Sequence, residues 1–226
     1  AFGDKKIDQI TKSDLLLFRN ELINTEGRAG KKIGSNHINK IMMKCKAVLL
    51  EAACRFDFPD PSKSIKPLKK ERTEISPLTL AEVKLFLGAI REDFKVYFIT
   101  RFFTGLRSAE INGLIWDDID LNKGSLWVRR ALVAGEVIST KTEGSYRMVQ
   151  LNKLVVDALK SHRISSLFTK PSDNIFCKED GHYLSNDYVG KFIWHPLLRL
   201  LSLAPRAMYQ TRHTAASIWL ASGESP

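Results

Sequence analysis

Three stretches of this 226-residue sequence carry side chains that could do chemistry: Thr104-Gly105-Leu106-Arg107-Ser108-Ala109-Glu110-Ile111, Thr140-Lys141-Thr142, and Tyr209-Gln210-Thr211-Arg212-His213-Thr214. In the first, an apolar run from Val96 to Phe103 reads as a buried helix. It stops at Gly105, the residue best suited to the left-handed conformation of a helix end. Ser108 is then placed as the N-cap of a short second helix, so Arg107 sits in a tight junction and Glu110 in the first turn that follows. A guanidinium held in such a junction can meet a phosphate in one repeatable geometry, which one on a free surface helix cannot. The same residues also fit a plainer arrangement, in which Arg107 caps the preceding helix or simply pairs with Glu110. Taken alone, Lys141 is an ordinary solvated turn lysine, and Arg212-His213 fit a polar cap on a buried helix.

The elements that must hold these groups follow from periodicity. Thr11-Lys12-Ser13-Asp14 has the form of a capping box, and Leu15, Phe18, Leu22 and Ile23 recur after it at helical spacing. Gly27 to Gly34 reads as a basic loop. Ser35 is expected to cap a longer helix with an apolar stripe of Ile38, Ile41, Met42, Cys45, Val48, Leu49 and Ala52, ended by Asp60-Pro61. Ser62 to Arg72, rich in proline and lysine, reads as an interdomain linker. Thr79-Leu80-Ala81-Glu82 is a second capping box, opening a helix with Val83, Phe86, Leu87 and Ile90 inward. Beyond Asp120 the period changes. Ser125 to Arg130, Glu136 to Lys141 and Tyr146 to Leu151 predict a three-stranded antiparallel sheet. Further helices are expected around Leu154 to Leu159, over Asn186 to Arg199 with a disturbance at Pro196, and over about Arg212 to Ala221; Asn174 to Cys177 reads as a short strand. The chain is therefore read as α+β and mostly helical, with a helical domain over 1–72 and a mixed domain over 73–226.

The formal charge is +10, from 35 basic and 25 acidic residues, and residues 1–72 carry +7 of it. Such an excess favours a polyanion, nucleic acid first and anionic membrane second. Lys31, Lys32, Lys40, Lys44, Lys69 and Lys70 are the candidate phosphate contacts, although a lysine face is as readily a solvated one. No apolar run approaches the roughly 18 residues that span a bilayer, so the expected setting is soluble and cytoplasmic. Three cysteines, Cys45, Cys54 and Cys177, read as reduced core thiols. Cys177, Asp180 and His182 lack the paired spacing of a zinc site, and no metal ligands are assigned.

The first stretch, followed by Trp116-Asp117-Asp118-Ile119-Asp120, resembles the first catalytic box of the tyrosine recombinases, the phage integrase family. Thr140-Lys141-Thr142 with Ser145-Tyr146-Arg147 resembles that family's lysine hairpin, and Tyr209 to Thr214 its second box, in the same order. The resemblance implies a small helical, SAM-like core-binding domain and a catalytic domain with a three-stranded sheet. It also implies integration or recombination of phage or mobile-element DNA through a 3′-phosphotyrosine, with no metal or nucleotide cofactor. The implied partner is double-stranded DNA at a specific site, with a homo-tetramer at synapsis, in a bacterial or phage-infected cell. Arg107 and Arg212 would clamp the scissile phosphate, because forked donors already in position stabilise its developing charge without reorganisation. Lys141 would protonate the leaving 5′ oxygen. Glu110 would orient Arg107, and His213 would support the site through a hydrogen bond. Tyr209 departs from the pattern, standing where histidine is usual; a phenol can donate to a phosphate oxygen but is a poor base near neutral pH. The five tyrosines all precede Arg212, so the expectation is a segment of a longer protein, a monomer that binds DNA and does not cleave it. Two rival readings stand beside this one. One is a DNA-binding regulator on the same scaffold. The other is a metal-dependent nuclease using Asp117, Asp118 and Asp120, which otherwise read as turn residues.

Overall fold

The computed structural model describes residues 2–27, 30, 32–70, 74–133, 135–139 and 146–223. The chain divides into two compact units, Ala1–Glu74 and Ile75–Pro226.

In the first unit, helix α1 (Lys12–Asn24) opens with a full capping box: the Thr11 hydroxyl accepts from Asp14 N–H, and the Asp14 carboxylate accepts from Thr11 N–H. Helix α2 (Ser35–Phe56) is capped by Gly34, not Ser35, and it ends at Asp57 in the left-handed region, ahead of Asp60-Pro61. Leu15, Ile38, Met42, Leu49 and Ile65 form the core. Val48 is exposed. At the helical increment it lies about 80° around from Ile38, whereas Leu49 returns to within about 20°. The stretch read as a linker belongs in part to this unit. Ser62 and Ile65 are buried, the Asn39 amide bonds both ways with the Leu68 backbone, and Lys46 and Arg19 donate to the carbonyls of Ile65 and Lys66. A strap satisfied by side chains of other elements has no period of its own, which is why periodicity missed it.

The second unit starts with α3 (Leu80–Ala89), capped by Thr79 and Glu82 as expected, followed by α4 (Glu92–Thr104) and the short α5 (Ser108–Asn112). A 3-10 turn over Trp116–Asp118 leads into β1 (Ile119–Asp120), β2 (Ser125–Val128), β3 (Arg130–Val133), β4 (Glu136–Ser139) and β5 (Arg147–Gln150). Then come α6 (Lys153–Ser165), α7 (Asn186–Val189), a π-turn over Gly190–Trp194, α8 (His195–Leu200) and α9 (Gln210–Ala221). Phe86, Phe98, Phe102 and Trp194 pack ring on ring in the core.

The sheet is three-stranded and antiparallel, ordered β1-β2-β5, but its membership differs from expectation. Ile119–Asp120 supplies the third strand, while Glu136–Ser139 pairs with Arg130–Val133 in a separate hairpin. The predicted strand 125–130 breaks at Arg129. There Arg129 pairs with Asp117 at 3.6 Å and with buried Asp118 at 4.0 Å, and Arg130 meets Asp118 at 3.2 Å, so Asp118 is an anchor more than a turn residue. Between Asn174 and Tyr183 there are only isolated bridges, Ile115 with Asn174 and Cys177 with Tyr183, among the described residues. Cys54 is exposed and Cys45 and Cys177 are half-buried, so these free thiols are not core residues. Among the described residues no helix is long and apolar enough to cross a membrane.

Candidate phosphate-binding site

The site is built where α4 ends. Its buried face of Phe94, Tyr97, Phe98, Phe102 and Thr104 fixes the helix in the core, and Gly105 then turns the chain at φ 61°. A Cβ on Gly105 would stand 3.2 Å from Trp219 Cη2 and 3.3 Å from Ala215 Cβ, both on α9. Glycine therefore serves the turn and the close approach of α9 at once. Leu106 is fully buried, and the next residue emerges. Arg107, rather than Ser108, is the N-cap residue of α5, and its side chain is 49% exposed.

Glu110 is the hub. It is 3% exposed and occupies the third position of α5, where its Oε2 accepts from the Arg107 backbone N–H at 2.8 Å. Its Oε1 accepts from Arg107 Nη1 at 2.8 Å. Arg147 adds a two-pronged grip, 3.1 Å to Oε1 and 2.8 Å to Oε2. Strand register explains the reach: Arg147 pairs with Val128, which is 1% exposed, so alternation turns Arg147 to the covered face of the sheet. Burial would push the Glu110 carboxyl up, but the hydrogen bonds and charge of Arg147 and Arg107 hold it down at about 2. In return, the hydrogen bond and charge of Glu110 raise the Arg107 guanidinium against its partial burial, and the nearby Tyr209 oxygen adds to this.

The N-terminus of α9 is brought to the same junction. Arg212 donates to the carbonyl of Gly105, and Ala215 and Trp219 pack over that glycine. The chain entering α9 is pinned from several sides: Trp194 Nε1 donates to the Arg206 carbonyl at 2.7 Å, and Arg206 pairs with Glu82 at 2.8 Å. Leu78 N–H donates to the Thr214 hydroxyl at 2.9 Å. Tyr209 is the N-cap residue of α9 and is 49% exposed. His213 meets it ring edge to face, with centroids 5.3 Å apart.

Of the expected residues, Arg107, Glu110, Tyr209, Arg212 and His213 therefore gather at one junction. Lys141 and Lys31 lie outside the described residues. Lys32, Lys40, Lys44, Lys69 and Lys70 are exposed on the first unit. The acidic candidates are engaged in structure: Asp118 with Arg130, and Asp120 with the N–H groups of Asn122 and Lys123. Among the described residues no three His, Cys, Asp or Glu side chains converge as a metal would require. A cavity of about 930 Å³ lined by Arg91, Tyr97, His162, Phe176 and Tyr188 involves none of the expected site residues. Two arginines were missed, Arg101 and Arg147. Arg101 is visible only as a charge inside an apolar run, and Arg147 only as a neighbour of the lysine turn.

Residues 65–226, well over half of the chain, match the model of the phage integrase family. The chain belongs to that family. As a phage integrase family member it is 25% identical to the prophage integrase IntR of Escherichia coli K12, over 97% of this chain and 61% of IntR. Its fold is that of the Tn1549 transposon integrase solved with a circular intermediate DNA, at a TM-score of 0.80 and 21% identity over 97% of this chain and 76% of that one. It also matches a lambda integrase tetramer bound to a Holliday junction, at a TM-score of 0.72 and 15% identity over 96% and 62%. The chain spans about half the length of the curated relatives it matches.

Proposed function

We propose that the protein is a tyrosine site-specific recombinase of a phage or mobile element, joining DNA by metal-free transesterification through a 3′-phosphotyrosine. One observation carries this reading. Arg107 and Arg212 come from segments far apart in sequence, yet Arg212 is bonded to the carbonyl of Gly105, a position 107 residues away and two before Arg107. Two forked cations at one solvent-open junction, the first braced by a buried carboxylate, suit a phosphodiester whose transition state gains charge on its non-bridging oxygens. Arg107 and Arg212 hold those oxygens. Tyr209 donates a further hydrogen bond from its phenol, Lys141 delivers the proton to the leaving 5′ oxygen, Glu110 orients Arg107, and His213 sets the Tyr209 ring. The unit over 1–72 serves as the core DNA-binding domain, through Lys31, Lys32, Lys40, Lys44, Lys69 and Lys70, and the unit over 73–226 as the catalytic domain.

Double-stranded DNA is the partner, and four subunits assemble at synapsis, as the tetrameric lambda integrase complex suggests. The protein works in the cytoplasm of a bacterial cell or phage-infected host. None of the five tyrosines follows Arg212, so to these 226 residues we assign DNA binding without strand cleavage. The deciding experiment uses the parent protein with its native C-terminus on a site nicked beside the cleavage position, scored for a covalent protein–DNA band with and without EDTA. A band that survives EDTA and weakens about 100-fold or more in Arg107→Ala and Arg212→Ala is expected. Tight binding with no band would establish a regulator instead, and cleavage abolished by EDTA a nuclease.

A further inference from the structure

Arg101, in the last turn of α4, is 1% exposed. Its guanidinium is distributed over four neutral acceptors: Nε donates to the Thr211 hydroxyl at 3.2 Å, Nη1 to the Tyr97 hydroxyl at 3.1 Å, and Nη2 to Ser108 Oγ at 3.0 Å and to the Met208 carbonyl at 3.3 Å. None of these acceptors carries a charge, and the Tyr97 ring, its centroid 5.5 Å from the guanidinium carbon, offsets the buried cation only in part, so its burial stays costly. Nor do the acceptors depend on it. The Tyr97 hydroxyl donates to Asn112 Oδ1 at 2.9 Å, and the Thr211 hydroxyl donates to the Met208 carbonyl at 2.9 Å. That carbonyl also takes Thr211 N–H at 3.2 Å, and Ser108 is only half-buried. Satisfying polar groups therefore does not account for an arginine here.

Its placement does. The bonds to Met208 and Thr211 bracket Tyr209 and end next to Arg212, while the bond to Ser108 ends next to Arg107. One planar group thus spans both arginine-bearing segments. We infer that Arg101 is a positioning residue that sets the separation of Arg107 and Arg212 for one phosphate, and that the bound phosphate supplies the countercharge its own partners lack. The inference rests on the phosphate site proposed above. A fork reaching four fixed acceptors cannot be replaced by a flexible point charge without loss of geometry.

Inorganic phosphate is the probe, titrated into the 226-residue chain with binding followed by NMR of the arginine Nε–H groups. Arg101→Met removes charge and fork at similar length, Arg101→Lys keeps only the charge, and Arg107→Ala and Arg212→Ala test the site itself. The expected result is binding about tenfold weaker in Arg101→Met, since a small misplacement of clamping groups is amplified. The melting temperature should stay within about 2 °C of the unaltered chain or rise, and Arg101→Lys should recover part of the affinity. Unchanged phosphate affinity in Arg101→Met, with affinity lost in Arg107→Ala and Arg212→Ala, would overturn the inference while leaving the site intact. A fall in melting temperature of about 10 °C or more, or failure of Arg101→Met to fold, would assign Arg101 to structure alone and also overturn it. If neither Arg107→Ala nor Arg212→Ala weakens binding, the phosphate site itself is wrong and the inference falls with it.

Discussion

Glu110 has several duties at once, because one buried carboxylate must neutralise two guanidiniums and cap a helix. Replacing it by Gln keeps the shape and removes the charge that both arginines face. Since Arg107 is half-exposed and can recover water, the loss should be about 2 kcal/mol, below the usual cost of breaking a fully buried pair. The pH dependence gives a sharper test. The folded value of about 2 lies below the ordinary 4.5, so the stabilisation is complete above about pH 4.5 and disappears as pH falls through 2. Urea denaturation from pH 6 to pH 2.5 should find the gap between the unaltered chain and Glu110→Gln narrowing as acid is added. A constant gap would mean that the carboxylate is not held by charge. The contact between Arg107 and Glu110 was legible in the sequence, because residues three apart at a helix start are neighbours by geometry alone. The grip of Arg147 on the same carboxylate was not, since it depends on a strand register that places Arg147 opposite Val128.

At the scale of elements, the α4–α5 junction and α9 are one construction, and Gly105 is where they touch. Gly105→Ala must put an L side chain at φ 61°, costing about 1 kcal/mol, and also force its Cβ against Trp219 and Ala215. A loss of about 2 to 3 kcal/mol in denaturant unfolding is expected. Arg212 should be affected with it, because the carbonyl it bonds belongs to the same residue. A loss under about 0.5 kcal/mol would mean that α9 does not press on the junction as described. Local signals carried much of this scale. The Thr11 and Thr79 capping boxes and the glycine end of α4 stand where the sequence put them, because each is settled within four residues. The sheet was harder: three strand-like segments were recognised, but not the break at Arg129, where Arg129 and Arg130 engage Asp117 and Asp118 from outside the strand. The strap over 62–68 was missed for a related reason, as its partners Asn39 and Lys46 lie elsewhere in sequence.

Over the whole molecule the clearest physical signal is charge, and it was visible before any fold: residues 1–72 carry +7 of the net +10. What charge alone leaves open is whether that excess meets phosphates or only water. The α2 geometry narrows the choice, because Lys40 and Lys44 are exposed and lie about 200° and 240° around the helix from buried Ile38. They share the side facing away from the core, one turn apart, where two cations can follow a phosphate backbone. If they do, Lys40→Ala with Lys44→Ala should weaken binding to duplex DNA uniformly across sequences. The slope of log K against log salt should then fall by about 2, roughly 1 for each phosphate contact removed. A solvated face would leave the slope unchanged, since an ion that never displaces a counterion adds nothing to it. Fluorescence anisotropy with a labelled duplex over roughly 50 to 200 mM salt separates the two. Arg107→Ala measured alongside should shift the slope by about 1 at most while weakening the covalent band of the parent protein about 100-fold or more. A change of 2 from the α2 lysines and little from Arg107 would divide affinity from catalysis between the two units.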